Sequence, residues 1–205
     1  MVTVKLTGIE AAMRAYDPAR VSQAAKLAIN ETVKKIHTDA ISSIRNEQGY
    51  NIKAADLRKK VKITARASVA NLAAVVTASG RPISLSYFGA TQYRGRTVKT
   101  RGGQKTLKRR SSKSGVYVTI KRGEKTHLTD AFIAPVKATY KNGDFAGFHI
   151  GVFRRMGDKR LKIAEKRVVT IASMYGNART ERAIRKAIDG SWNKRFNHHL
   201  SRLIK

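Results

Sequence analysis

The sequence predicts an α+β fold, in which a mainly antiparallel sheet is packed by two long helices, one from each end of the chain. Apolar residues recur every three or four positions in residues 18–46 and in residues 184–204, which is the period of a helix with one buried face. Between these stretches the apolar pattern is shorter and alternates, which is typical of strands. Because helical and strand patterns are segregated along the chain, we expect an α+β arrangement in a single domain over residues 1–205.

The N-terminal part of the chain predicts a short strand and then the first long helix. Residues 2–7 alternate between apolar and polar side chains, so we expect a strand there, with a short helical piece after it. Asp17 and Pro18 predict the start of the long helix, because Asp is a good N-cap and Pro fits the first helical turn. This helix is expected to end near Asn46, and a shorter helix is expected over residues 53–61.

The central part of the chain predicts short strands. Alternating or β-rich patterns indicate them in residues 61–67, 71–80, 83–93 and 115–123. Asn142 and Gly143 predict a tight turn between two further strands. The last helix carries apolar side chains at a spacing of four, and Asn177 is suited to cap it. Within this set the stripe of Trp192, Phe196 and Leu200 indicates a core face more than a ligand site, and a subunit interface over part of the stripe is the alternative. The full set is Ile184, Ile188, Trp192, Phe196, Leu200 and Ile204.

The chain is strongly cationic, with 43 Lys and Arg residues against 13 Asp and Glu residues and a formal net charge of +30. The charge is uneven, because the 67 residues between Asp56 and Glu124 contain 17 Lys and Arg residues and no carboxylate. Residues 94–115 lie in that window, show no helix or strand period and are rich in Gly, Ser, Thr, Lys and Arg. We therefore expect an extended basic loop there, inserted between two strands.

Nine cations of this loop are the candidate contacts for DNA or for an acidic protein partner. Lys and Arg neutralise phosphates without reading base sequence, and no nearby pattern resembles a recognition helix, a zinc finger or an aromatic platform for RNA. The alternative interpretation is a solvated connection without a partner. The candidate residues are Arg94, Arg96, Lys99, Arg101, Lys105, Lys108, Arg109, Arg110 and Lys113.

No pattern in the sequence indicates an enzyme. The five His residues and the few carboxylates show no metal-ligand spacing and no acid–base pair, and the chain has no Cys for thiolate chemistry. We therefore expect no catalytic residue, no metal and no cofactor. The sequence also lacks an apolar run of about 18 residues and a signal-peptide pattern, so we expect no membrane span and synthesis in the cytoplasm.

Several stretches, taken in their order along the chain, resemble one known family. They are the early helix "AAKLAINETVKKI", the basic helix "AADLRKKVKI", the basic loop followed by "GVYVTIKRGEKTHLTDAFIA", then "FHIGVFRRMGDKRLKI" and a last helix ending in "NHHLSRLIK". Together they span most of residues 10–205. On these stretches the chain resembles the phage minor tail protein Z family, the tail-completion proteins of long-tailed bacteriophages.

The resemblance implies a structural protein of the virion, located at the head-proximal end of the tail in the neck region and assembled in the host cytoplasm. It implies a ring around the DNA path, commonly with sixfold symmetry. The implied partners are other copies of the chain, tail terminator or tail-tube proteins, neck or connector proteins, and packaged double-stranded DNA. For residues 94–113 it implies a position beside DNA or beside an adjacent acidic ring, and it implies no catalytic residue.

Two other classes of protein remain open on composition alone. A cellular nucleic-acid-binding protein without sequence specificity, such as a ribosomal or nucleoid component, also carries basic loops on a small α+β domain. It would bind free DNA or RNA with a strong dependence on salt. A nuclease would need clustered Asp, Glu or His to hold a metal, and the acid-free window speaks against one.

Overall fold

The structure, a computed structural model, describes residues 8–93, 96–100, 102–107, 115–139, 142–157 and 162–204. Contacts divide the described chain into two units. The helical unit takes its residues from Met1–Gly49, Lys53–Arg81 and Thr170–Lys205, and the β unit takes its residues from Tyr50–Ile52 and Pro82–Val169. The strand predicted for residues 2–7 lies outside the described residues.

The described residues of the helical unit form helices and one small sheet. The helices are α1 (Ile9–Ala15), α2 (Pro18–Asn46), α3 (Ala54–Lys60), α4 (Ile171–Tyr175) and α5 (Ala178–Ile204). Two strands pair antiparallel, β1 (Val61–Ala65) and β2 (Val75–Ala78). These bounds confirm the helices predicted for residues 18–46, 53–61 and 184–204.

Both long helices begin at the caps that the sequence predicts. Asp17 Oδ1 accepts a hydrogen bond from the backbone N of Ala19 at 3.1 Å, and Pro18 occupies the first turn, where its missing N–H leaves no helical bond unmade. In the same way Asn177 Oδ1 accepts from the backbone N of Arg179 at 3.0 Å, just before α5. The ends of these helices are therefore set by local chemistry.

The core of the helical unit lies between α2 and α5. Helix α2 contributes small residues to it, among them Ala24 and Ala28, which are fully buried. Helix α5 contributes large ones, and the rings of Trp192 and Phe196 stack with their centroids 5.2 Å apart. Small side chains opposite large ones let two helices approach closely at interior packing density. The apolar stripe of α5 is thus core, as its spacing predicts.

The β unit is built from short antiparallel strands that follow a 3-10 helix at Leu85–Phe88. In chain order they are β3 (Thr91–Tyr93), β4 (Arg96–Thr100), β5 (Gly103–Leu107), β6 (Gly115–Val118), β7 (Thr126–Leu128), β8 (Ala131–Thr139), β9 (Phe145–Arg155) and β10 (Ile163–Glu165). Their described pairings give the sheets β3-β6-β7, β4-β5 and β10-β9-β8, all antiparallel. The predicted turn at Asn142 and Gly143 lies between β8 and β9, with Gly143 at φ 89°.

The predicted fold class is confirmed, because helices and antiparallel strands are segregated along the chain and the long helices lie towards its two ends. The structure adds how the elements pack. The strands are distributed over several small sheets instead of one continuous sheet. The two long helices pack along each other, because their apolar stripes are complementary in size.

Two local predictions are corrected. The alternation within residues 83–93 predicted a strand, but only Thr91–Tyr93 is one, and the 3-10 helix precedes it. Leu85 and Phe88 are both buried at a spacing of three, which is the period of a 3-10 turn. Residues 94–115 were expected to be a loop without regular structure, yet their described part contains a β4–β5 hairpin paired from Arg96 opposite Leu107 to Thr100 opposite Gly103.

Candidate functional site

The basic segment emerges from two neighbouring strands of one sheet. β3 and β6 pair directly, with Thr91 opposite Tyr117 and Tyr93 opposite Gly115. The chain therefore leaves the sheet at Tyr93 and returns to it at the facing position. We call residues 94–114 the basic insertion. The predicted placement of this segment between two strands is confirmed, and the strands prove to be hydrogen-bonded neighbours.

The return point of the insertion requires a glycine. Gly115 has φ 128°, a backbone conformation that other residues rarely adopt. A Cβ at this position would overlap the carbonyl oxygen of Leu128 on the neighbouring strand β7. Val116 and Val118 then anchor β6 in the interior, at 0% and 1% exposure. The base of the insertion is therefore tightly specified.

The nine candidate cations divide between described and undescribed positions. Arg96 and Lys99 lie on β4 and Lys105 lies on β5, so the hairpin brings three of them into one two-stranded element. The others lie outside the described residues: Arg94, Arg101, Lys108, Arg109, Arg110 and Lys113. Contact of these nine residues with DNA or with a protein partner stays a prediction.

A second basic surface lies in the helical unit, where the sequence analysis singled out no site. α3, β1 and the residue directly after β1 form the α3–β1 surface, which exposes five cations: Arg58, Lys59, Lys60, Lys62 and Arg66. Asp56 is the acidic residue of α3, and its Oδ1 lies 3.4 Å from Lys59 Nζ. Cations near the end of a helix are favoured by its dipole, which accounts for the run in α3. The signal was present in the acid-free window, which begins directly after Asp56.

A third group of cations surrounds the junction between the end of α2 and the start of α5. Arg179, Arg182 and Lys186 share one face of α5 and line an open cavity of about 330 Å³ with Glu47 and Ala183. Arg179 Nη1 donates a hydrogen bond to the backbone oxygen of Glu47 at 2.6 Å. Cations at the start of a helix oppose its dipole, so the carbonyls at the end of α2 offset that cost for Arg179.

A buried polar network holds the same junction from inside. Gln48 Nε2 donates to the backbone oxygen of Met174 at 2.7 Å and approaches Thr180 Oγ1 at 2.6 Å. Gln48 is 8% exposed and Thr180 is fully buried. Because Gln48 Nε2, Thr180 Oγ1 and the backbone oxygen of Met174 are joined by hydrogen bonds, the network ties the end of α2 to the turn before α5.

Two carboxylates of the β unit, Glu165 and Asp130, form ion pairs with neighbouring cations. Glu165 Oε1 lies 2.6 Å from His149 Nε2, and its Oε2 lies 2.7 Å from Arg167 Nη2. Burial alone would raise the pKa of Glu165, but hydrogen bonds from His149, Ser84 and Arg167 outweigh it, so the pKa lies below its usual value. Glu165 is thus held ionised as a structural anion.

Asp130 is surrounded in a similar way. Its two oxygens lie 2.8 Å from Arg154 Nε and 3.4 Å from Lys166 Nζ. Desolvation raises the pKa of Asp130, but the positive charges of Lys166 and Arg154 and the hydrogen bonds to its carboxylate outweigh desolvation, so the pKa lies below its usual value. Asp130 is therefore engaged in internal ion pairs, as Glu165 is.

The described residues contain no group of three or more His, Asp or Glu placed to hold a metal ion. Within the same part of the chain, no helix is both long enough and apolar enough to cross a membrane. The described residues expose cations on two surfaces, the α3–β1 surface and the face at the start of α5, and the basic insertion adds nine cations in sequence. Clustered positive charge attracts anions by a long-range field and does not depend on the direction of individual contacts.

A family profile, that of the prophage minor tail protein Z, matches residues 6–205. The chain belongs to this family. It is therefore a phage minor tail protein, a structural component of the virion tail in a class that is normally non-enzymatic. The family resemblance identified in the sequence is confirmed. No curated protein and no solved structure gives a significant match.

Proposed function

We propose that this chain is a tail-completion protein that forms a ring, a hexamer, around the DNA path at the head-proximal end of the tail. Its neighbours are the tail terminator or tail-tube proteins on one side and the neck or connector proteins on the other. The basic insertion faces the DNA or an adjacent acidic ring. The observation that carries the proposal is a cationic hairpin inserted between two paired strands of a minor tail protein.

The charge distribution supports a sequence-independent anionic partner. A formal charge of +30 opposes compaction and self-association unless anions lie close by. The insertion contributes nine Lys and Arg residues and no carboxylate. Contacts between Lys or Arg and phosphates fix position without reading bases, and a conduit for a whole genome needs contact of this kind.

A ring assembly gives each surface of the subunit a distinct neighbour. Each subunit of a ring needs two side surfaces for its neighbours and one surface towards the lumen. The insertion leaves the sheet at Tyr93 and returns to it at Gly115, so both of its ends lie on paired strands, and we propose that each subunit directs it towards the lumen. Six copies would bring 54 insertion cations around one axis, nine from each chain, which concentrates positive potential where DNA passes.

The position in the particle is tested by electron microscopy. Purified protein is mixed with tail tubes of the same phage, and negatively stained images are averaged at both tube ends. We expect a ring at one end, the end that joins the head. A protein that never caps a tube, or that binds along the whole tube, would contradict the proposed position.

The DNA contact is tested by the salt dependence of binding to double-stranded DNA. One variant carries Arg96→Gln, Lys99→Gln and Lys105→Gln. The matched control removes three cations from the α3–β1 surface of the helical unit. Since each phosphate contact contributes about 0.9 to the slope of log K against log salt, the first variant should lower the slope by about 3.

The control makes this measurement specific to the insertion. The control carries Arg58→Gln, Lys60→Gln and Lys62→Gln, so both variants lose three cations. An equal fall of the slope in both would show diffuse attraction by net charge. A slope that neither variant changes, together with binding of the wild type to an acidic tail protein, would assign the insertion to a protein ring.

A further inference from the structure

The outer half of the β8–β9 hairpin carries an apolar surface that the described part of the chain leaves uncovered. Phe145, Phe148 and Ile150 are 58%, 64% and 59% exposed. Near the base of the same hairpin, Val152 and Phe153 are buried at 0% and 6%. The hairpin therefore extends from the core into solvent, and its outer half carries large apolar side chains. We call residues 135–139 and 142–150 the β8–β9 arm.

A β-bulge gathers the aromatic side chains on one face of the arm. Thr139 pairs with Phe145 and Ala138 with Gly147, so Ala146 is an extra residue in β9. In a regular strand Phe145 and Phe148 would lie on opposite faces, because they are three positions apart. The extra residue shifts the alternation, and their rings meet edge to face with centroids 5.3 Å apart. Two exposed rings in mutual contact form a patch, unlike scattered exposed residues.

The backbone of the arm is also open at its edge. β10 pairs with β9 only from Phe153 to Arg155, and Lys166 N donates to Val152 O at 2.8 Å. Among the described residues, no other strand pairs with the outer edge of β9 from Phe145 to Gly151. An isolated two-stranded hairpin is marginally stable, and an open edge offers hydrogen bonds to another chain.

The arm is poor in charge within a strongly cationic protein. In the sequence from 135 to 150, which contains the arm, there are two Lys residues and one Asp residue, so the formal charge is +1, whereas the chain carries +30. An acidic partner would be attracted to the cationic surfaces. Two copies of this chain repel each other instead, and they can meet with least repulsion where charge is sparse. The charge pattern therefore favours a second copy as the occupant of the arm.

We infer that the β8–β9 arm is the surface through which one copy of this chain contacts the next. This inference rests on the ring of the proposed function and names its interface. In a ring the contact is heterologous, so the arm of one subunit packs on a different surface of its neighbour. The two rings and Ile150 expose roughly 300–400 Å² of apolar area, which is in the range of patches that are often functional.

The first test is the oligomeric state, measured by sedimentation over a range of protein concentrations at low and high salt, because salt screens the repulsion between cationic copies. The wild type should associate, and Phe145→Ser or Phe148→Ser should each weaken association about tenfold to a hundredfold. The control is Tyr16→Ser, which removes another aromatic residue, 47% exposed, from the helical unit. Circular dichroism of each variant checks that the fold is kept.

The outcomes distinguish a failure of the inferred β8–β9 contact from a failure of the proposed ring. Association that both Phe variants leave unchanged would overturn the arm while leaving the ring intact. A wild type that stays monomeric at every protein and salt concentration would overturn the inferred contact and count against a ring formed by this chain alone. The DNA salt slope is independent of either result, so it still tests the basic insertion.

A second measurement identifies the occupant. A photoreactive benzophenone amino acid replaces Phe148, and labelled and unlabelled copies are mixed before irradiation in the presence of tail tubes. Cross-linked peptides that join a labelled to an unlabelled copy of this chain support the inference. Cross-links to a different tail protein, without mixed-copy peptides, would overturn it. The same amino acid at Tyr16 controls for cross-linking by random collision.

Discussion

Replacing Asn30 will destabilise the helical unit, because this one side chain holds the segment that follows β1. Asn30 Nδ2 donates to the backbone oxygen of Ala67 at 3.0 Å, and its Oδ1 accepts from the backbone N of the same residue at 2.9 Å. Ala67 is 5% exposed and belongs to the core cluster with Trp192. Asn30 therefore satisfies both polar backbone groups of a buried residue.

The magnitude follows from these two hydrogen bonds. Each contributes about 0.5–1.5 kcal/mol net, so Asn30→Ala should cost about 1–3 kcal/mol of unfolding free energy. Asn30→Asp keeps the acceptor but sets a carboxylate against the backbone oxygen of Ala67. At about pH 7 its cost should be similar, and it should shrink below about pH 4, since a protonated carboxyl can donate again.

The assay is urea unfolding followed by far-ultraviolet circular dichroism, which reports mainly on α2 and α5. The control on the same helix is Thr38→Ala, which removes only an exposed bond to the backbone oxygen of Lys34 at 3.1 Å. That change should stay within about 0.5 kcal/mol. If Asn30→Ala is no more costly than Thr38→Ala at an equal m-value, the reasoning is refuted.

Three further predictions concern backbone and charge. Gly190→Ala should stabilise α5 by about 0.5–1 kcal/mol, because Gly190 lies inside the helix with nothing within 4 Å of an added Cβ; an unchanged or lower melting temperature would contradict this. Gly115→Ala should lower the melting temperature clearly, whereas Gly102→Ala, with open space around its Cβ, should not. Because the folded pKa of Glu165 lies below its ordinary value of 4.5, its contribution is present above pH 4.5 and lost as pH falls further. The difference in unfolding free energy between wild type and Glu165→Gln should therefore become smaller on acidification. A difference that does not change with pH would contradict the role of Glu165 as a stabilising anion.

The parts of the fold that depend on local chemistry could be predicted from the sequence. Asp17, Pro18 and Asn177 set where the long helices start, since caps act on the nearest backbone N–H groups. The Asn142-Gly143 turn is equally local. The same reasoning failed at Leu85, because a buried residue alternating with polar ones fits a short strand and a 3-10 turn alike.

The candidate site was predicted in part. The acid-free window pointed to the basic insertion, because charge is visible in sequence without any knowledge of the fold. The exposed surface of α3 and β1 lies in the same window but was not recognised as a surface. The cationic face at the start of α5 was not recognised either, because the carbonyl of Glu47 that meets Arg179 comes from a residue 132 positions away.

By itself, the sequence determined the charge of this protein, its helix boundaries and its membership in a family of minor tail proteins. These depend on residues that are neighbours along the chain or on composition. Only the tertiary structure decided that β3 and β6 are paired neighbours beneath the basic insertion, and that a bulge at Ala146 brings Phe145 onto the same face as Phe148. Strand pairing and register arise from contacts between distant segments, and a single extra residue moves a side chain to the other face of a sheet.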